Sequence, residues 1–204
     1  TPALELTEQM KRNVEAQIRA TQAAAAALAE KLTAEIARGE VEIETRGRRI
    51  VVRIRERGSF ASGSAELKPE YQALMRQFRD VLAAQEGAIA VQGHTDEVPI
   101  ATARFRSNWE LSSARAVSVA EPLLEGGVLD PRRVSVTGFA DTRPLVANDS
   151  ADGRVRNRRV EIVIDQGIDR HMREQLDALK TGDPAYYRSL RLGAAADGQG
   201  GVMR

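Results

Sequence analysis

Residues 88–124 read AIAVQGHTDEVPIATARFRSNWELSSARAVSVAEPLL, and the two halves of this stretch decide the fold. Ala88 to Gln92 is a short apolar run closed by Gly93, which predicts a buried strand. His94, Thr95 and Asp96 follow at its C-terminal end, and a polar loop with Pro99 runs to about Arg106. Ser107-Asn108-Trp109-Glu110 has the S-x-x-E form of a capping box. It predicts a helix over about 108–125, ended or bent by Pro122. A strand feeding a helix across a loop implies a crossover, and hence some parallel pairing.

Working outward, Arg133 to Phe139 and Arg158 to Asp165 read as strands separated by a loop at 140–153. Upstream, Val41, Ile43 and Thr45 alternate with Glu42 and Glu44. After Arg46-Gly47-Arg48, the residues Ile50, Val52 and Ile54 alternate with Arg49, Val51, Arg53 and Arg55. Period two on both sides of a turn predicts a hairpin with one apolar face. The acids of its first strand can pair with the arginines of its second. That pairing explains the arginine run better than a nucleic-acid stripe, since no aromatic residues are interleaved for stacking. Pro69 opens a helix over 69–85 with Leu74, Phe78, Val81 and Leu82 on one side. The order hairpin, helix, strand, helix, strand, strand predicts a two-layer α/β sandwich on a mixed sheet.

Residues 4–38 predict one long helix stopped by Gly39. Its apolar stripe, through Leu4, Met10, Val14, Ile18, Ala25, Leu28, Leu32 and Ile36, is narrow. Such a stripe suits a two-helix dimer seam, or a helix resting on its own domain. Residues 168–180 fit an amphipathic helix through Ile168, Met172, Leu176 and Leu179, and from Gly182 the composition predicts a mobile tail. The expected division is a linker or dimerisation helix (1–39), a globular domain (40–167), and a C-terminal helix with tail (168–204).

Composition excludes several functions. The 204 residues carry 30 Lys and Arg against 29 Asp and Glu, a net charge of +1. Nucleic-acid binding normally rests on a clear cationic excess. Cysteine is absent and only two histidines occur, His94 and His171. Thiolate chemistry and a Cys or His-rich metal site are therefore excluded, and no cofactor is expected. No run reaches the roughly 18 apolar residues of a membrane span. Aromatic residues make up only 4% of the chain, so the core must rest on Val, Ile, Leu and Ala.

Asp96 and Arg115 are the leading candidates for chemistry. Asp96 ends a strand, where α/β sheets place ligand loops. Asn108, Leu111 and Arg115 share one face of the following helix, which begins at an anion-favouring N-terminus. Arginine can grip a carboxylate through two hydrogen bonds, while aspartate takes an ammonium group. Together they suit a zwitterion; spacing alone equally allows a direct ion pair between them. His94-x-Asp96 lacks a third metal ligand. Ser112 and Ser113 lack the nucleophile-elbow pattern, and no phosphate-binding glycine loop occurs. Trp109 is expected to pack in the core or at the start of its helix. Arg154, Arg156, Arg158 and Arg159, with Asn157, form a dense cationic cluster. It reads either as a solvated segment balanced by nearby Asp or as a contact for an anionic polymer.

The strings GHTDEVPI (93–100), SNWELSSARAVSV (107–119), VTGFADTRP (136–144) and NRRVEIVI (157–164) resemble the OmpA-like peptidoglycan-binding domain. The long loop between Asp96 and Asn108, and GSFASGSAEL at 58–67, resemble the MotB/PomB branch, the B subunits of bacterial flagellar stators. The resemblance covers about residues 41–165. It implies a β-α-β-α-β-β fold and a periplasmic, non-catalytic anchor for peptidoglycan, held through stem-peptide diaminopimelate. The threonine–aspartate pair maps onto Thr95 and Asp96, and the LSxxRA arginine onto Arg115. Asn108 and Leu111 line the same site, while Phe60 and Arg158 match more loosely. It also implies a homodimer of a single-pass inner-membrane protein, joined to a stator A subunit through a transmembrane helix that this chain lacks. Relatives of the same fold serve as a type VI secretion anchor or as Pal and OmpA-type proteins. A murein hydrolase is disfavoured, since neither a zinc triad nor a nucleophile with a base is visible.

Overall fold

A computed structural model describes residues 2–167 and 170–190. Helix α1 (Pro2–Lys31) and the short α2 (Thr33–Ala37) precede the hairpin of β1 (Val41–Arg46) and β2 (Arg49–Arg55). A single turn, α3 (Glu56–Ser59), leads through a loop to α4 (Pro69–Ala83). Then come β3 (Ala88–His94), α5 (Asn108–Leu124), β4 (Val134–Gly138), α6 (Ala151–Asn157) and β5 (Arg159–Asp165). Helices α7 (Arg170–Gly182) and α8 (Pro184–Ser189) follow.

The sheet order is β1-β2-β5-β3-β4, with β5 inserted between the hairpin and β3. Among the named strands of the described residues, only β3 and β4 pair in parallel, joined by the α5 crossover. This is the two-layer mixed sandwich that the sequence pattern predicts. The implied β-α-β-α-β-β unit starts at β2, and β1 adds an edge strand.

One face of the sheet is apolar because the strands alternate. Ile50, Val52, Ile54, Ile89, Val91, Val160, Ile162 and Ile164 are buried in one core with Met75, Phe78 and Leu82 of α4 and Ala116, Val119 and Leu123 of α5. The other face carries charge. Arg53 donates to Glu44 at 2.7 Å and to Glu161 at 3.1 Å, and Arg159 donates to Glu161 at 2.7 Å. Arg55 pairs with Glu42 and Arg49 with Asp165. Glu42 lies opposite Arg53 in register, so the cross-hairpin pairs run diagonally. The arginine run is thus answered by acids of the same sheet.

The helix expected over 4–38 breaks at Leu32, whose backbone (φ −113, ψ 14) leaves helical geometry while its side chain is fully buried. Its stripe is used within the chain. Ala24, Ala25, Leu28 and Leu32 join the main core. Val14 and Ile18 pack with Leu176, Leu179, Tyr186, Tyr187 and Leu190 in a second cluster. Arg48, in the hairpin turn, donates to the Gln17 carbonyl and to Thr21 Oγ1, both at 3.2 Å, and so ties α1 down. From Val14 to Leu32 the stripe thus packs on the chain's own domain, while Ile36 is 37% exposed.

Other expectations need correction. The tail expected to be mobile from Gly182 begins with an ordered helix. Asp183 caps α8 by accepting from the Tyr186 N–H at 3.0 Å, Pro184 sits at its first turn, and Lys11 pairs with Asp183 at 3.0 Å. Residues 191–204 and Ile168 lie outside the described residues. The loop expected over 140–153 gives way at Ala151 to α6. Its Ser150 cap and its central Gly153 make a short helix that apolar periodicity does not announce. Trp109 is 53% exposed rather than packed, because the core-facing side of α5 belongs to Leu111, Ser112 and Arg115.

Candidate functional site

A cavity of about 690 Å³ opens beside the C-terminal end of β3, and Thr95, Asp96, Asn108, Leu111, Arg115, Phe60 and Arg158 all line it. Each comes from a different local device. The Thr95 N–H donates to the Ala140 carbonyl at 2.8 Å, and its hydroxyl donates to the Asp96 carbonyl at 2.9 Å. Ala140 holds φ +50, the left-handed region that non-glycine residues rarely adopt, and its own N–H donates to Ser112 Oγ at 3.1 Å. Asp96 Oδ1 accepts the Val98 N–H at 3.0 Å. Asn108 returns a hydrogen bond to the Val98 carbonyl at 3.0 Å, closing the loop.

Helix α5 is aimed by its cap. Ser107 Oγ accepts the Glu110 N–H at 3.3 Å, and Glu110 reaches back to the Arg106 N–H at 2.7 Å. The reciprocal bond lands one residue before the cap, a variant of the box that the sequence predicts. Leu111 is buried with Ala65 and Phe105, while Arg115 is 2% exposed and lies 5.4 Å from the Phe60 ring centroid.

The charges form a chain. Arg158 Nη1 donates to Asp96 Oδ2 at 2.6 Å, and its Nε donates to Glu56 Oε2. Glu56 Oε1 accepts Arg115 Nη2 at 2.5 Å, and Arg115 Nε donates to the Ser64 carbonyl at 2.8 Å. Asp96 and Arg115 therefore do not pair directly; Arg158 and Glu56 stand between them. Burial pulls Arg115 below the ordinary arginine value, with Glu56 opposing. For Arg158 burial also works against the charge, but Asp96 and Glu56 outweigh it and hold its pKa above the ordinary value. The arrangement presents Arg115 and Arg158 with Glu56 and Asp96 to one cavity that Arg57, Lys68 and Arg154 also line, so groups of both signs face it.

Residues 59–158 match the OmpA family. The cell wall anchor of the T6SS from Pseudomonas aeruginosa is 43% identical, with a TM-score of 0.61, over 68% of this chain and 96% of that one. The chain belongs to the OmpA family. A MotB-like protein from Desulfovibrio vulgaris is 30% identical, with a TM-score of 0.66, over 78% of this chain and 99% of that one. Motility protein B of Bacillus subtilis is 33% identical over 126 residues, which is 61% of this chain and 48% of the relative. The chain thus spans about half the length of the curated relatives it matches.

Within this OmpA-family cavity, sequence reasoning missed Glu56. Flanked by Arg55 and Arg57 it reads as one more hairpin charge, and nothing in its spacing links it to Arg115, 59 residues away. Lys68 and Arg154 also line the cavity. The cationic cluster at 154–159 divides. Arg154 and Arg158 face the cavity, Arg156 is exposed, and Arg159 is buried on the charged sheet face.

Asn157 of the same cluster is a latch rather than a contact for ligand. It is fully buried, accepts from the N–H groups of Leu145 and Val146 at 2.8 and 3.0 Å, and donates to the Val146 carbonyl and Asn148 Oδ1. Asn157→Ala leaves two backbone N–H groups without their acceptor, at a cost of about 3 kcal/mol. Urea unfolding checks this; a loss under 1 kcal/mol contradicts the latch.

His94 lies behind the site, 2% exposed and stacked on Phe139 with centroids 5.4 Å apart. Neither ring nitrogen has a hydrogen-bond partner among the described residues. Burial, aided by the Arg159 charge, pushes its pKa down to about 4. The folded ring is therefore neutral where the unfolded ring takes a proton. Stability is fully present above pH 6.5 and falls as the pH drops toward 4, by about 3 kcal/mol in all. Unfolding free energies at pH 7.5 and pH 4, in the parent and in His94→Leu, test this. The variant is expected to lose that part of the pH slope.

Proposed function

We propose that this chain is a non-catalytic peptidoglycan anchor, the wall-binding part of a flagellar stator B subunit. The observation that carries the reading is the convergence of Asp96, Arg115, Asn108, Leu111, Thr95, Phe60 and Arg158 on one cavity with paired positive and negative groups. Diaminopimelate ends in a free carboxylate and a free ammonium group, which such a cavity can take on arginine and aspartate. Similarity to Motility protein B and to the MotB-like protein supports the stator assignment. On this reading the protein sits in the periplasm, works as a homodimer, and meets a stator A subunit through a membrane segment outside this chain. Among the described residues no helix is long and apolar enough to cross a membrane. The dimer would form through a surface other than the part of the stripe, Val14 to Leu32, that packs within the chain.

A second reading keeps the ligand and changes the machine. The 43% identity to the T6SS cell wall anchor is the observation behind this alternative, a secretion anchor. A chimera separates the two. Residues 41–165 replace the matching domain of Motility protein B in Bacillus subtilis, and swarming is scored. Restored motility supports the stator assignment. A stable chimera that pellets with sacculi without restoring motility favours the secretion anchor.

A further inference from the structure

We propose that Glu56 is an internal competitor for the ligand's carboxylate, which makes binding an exchange of one carboxylate for another. This rests on the zwitterion reading of the cavity and adds a residue that sets its specificity.

Three observations carry it. Glu56 places one carboxylate oxygen on Arg115 and the other on Arg158, so its single group bridges these two of the arginines that line the cavity. Arg115 cannot turn elsewhere. It is 2% exposed, its Nε is fixed on the Ser64 carbonyl, and its two hydrogen bonds leave Nη1 without a protein partner among the described residues. The Glu56 backbone is anchored independently of its carboxylate: its N–H donates to the Arg158 carbonyl at 3.0 Å, while its side chain, 12% exposed, lines the cavity. The residues after it, Arg57 and Gly58, already depart from helical geometry, with φ +109 at Gly58.

An arginine fork reads a carboxylate by charge and by two parallel hydrogen bonds. Only a ligand bringing the same group can replace Glu56 without leaving a buried cation unpaired. The cavity therefore selects a free carboxylate over its amide, and its affinity is set below what Arg115 and Arg158 alone would give.

The test is a calorimetric titration of the chain with diaminopimelate and with its carboxamide. Glu56→Gln is expected to bind diaminopimelate about 10-fold tighter than the parent, since the competing charge is gone. The carboxamide should gain nothing. Equal or weaker binding of diaminopimelate by a folded Glu56→Gln overturns the proposal. If Glu56→Gln does not fold, the Glu56 side-chain carboxylate ¹³C resonance of the parent decides: a shift on saturation supports displacement, and an unmoved resonance overturns it. If the parent does not bind diaminopimelate at all, the zwitterion reading fails. Acetate then reads the competition by itself. Tighter acetate capture by Glu56→Gln, or in its absence an acetate-induced shift of that resonance, supports it, and no difference overturns it.

Discussion

Asp96→Asn is expected to lower affinity for diaminopimelate roughly 50-fold while leaving the fold in place. The amide keeps the shape of the carboxylate and its acceptor for the Val98 N–H, which holds the loop. It loses the charge that would receive an ammonium group. The fold tolerates this because the internal partner, Arg158, is 31% exposed and keeps Glu56. After discounting for solvent, the stability cost is about 1 kcal/mol or less. Arg115→Ala behaves differently. It empties a fully buried site and leaves Glu56 with only its outer partner, which costs about 3–5 kcal/mol. Loss of binding in Arg115→Ala is therefore ambiguous, and Asp96→Asn is the informative variant. Calorimetric titration with a thermal melt of each protein checks both statements; unchanged affinity in a folded Asp96→Asn contradicts the site.

Gly93→Ala is expected to destabilise the domain by about 3 kcal/mol or more, lowering Tm by roughly 10 °C. A β-carbon at Gly93 would collide with the Ser112 carbonyl oxygen, and one at Gly138 with Ser113. These two glycines let α5 lie directly on β3 and β4; at Gly138 the neighbours are Ser113 Oγ and backbone N, whereas at Gly93 they are backbone alone. Backbone at Gly93 cannot turn aside, so the helix must lift. Lifting α5 moves Asn108, Leu111 and Arg115 away from Asp96, so binding should fall with stability. A melt within 2 °C of the parent would show that the helix–sheet contact is softer than its geometry implies.

The fold was legible because its strands alternate and its helices are punctuated. Ile50-Val51-Val52-Arg53-Ile54 announces one apolar face, and Ser107 with Glu110 announces where α5 begins. Among the candidate site residues, Asp96 and Arg115 were legible for a different reason: Asp96 follows a strand end and Arg115 lies two turns into the helix that follows, whereas Thr95, Phe60 and Arg158 came from the family resemblance. What stayed hidden depends on distant partners. Glu56 acquires its role only when β2 ends beside α5. Trp109 has the composition of a core residue, but the helix turns it outward. The stripe of α1 states that a partner exists without saying whether it belongs to the same chain. Helix α8 is too short for periodicity, and its tyrosines become structural only against Val14 and Ile18.

Co-sedimentation of this chain with purified sacculi, with and without free diaminopimelate, bears on the wall-anchor reading as a whole. The chain is expected to pellet with sacculi, free diaminopimelate to release it, and Asp96→Asn to stay in solution. Failure of the folded chain to pellet, or pelleting that neither diaminopimelate nor Asp96→Asn reduces, would contradict a wall anchor working through this cavity.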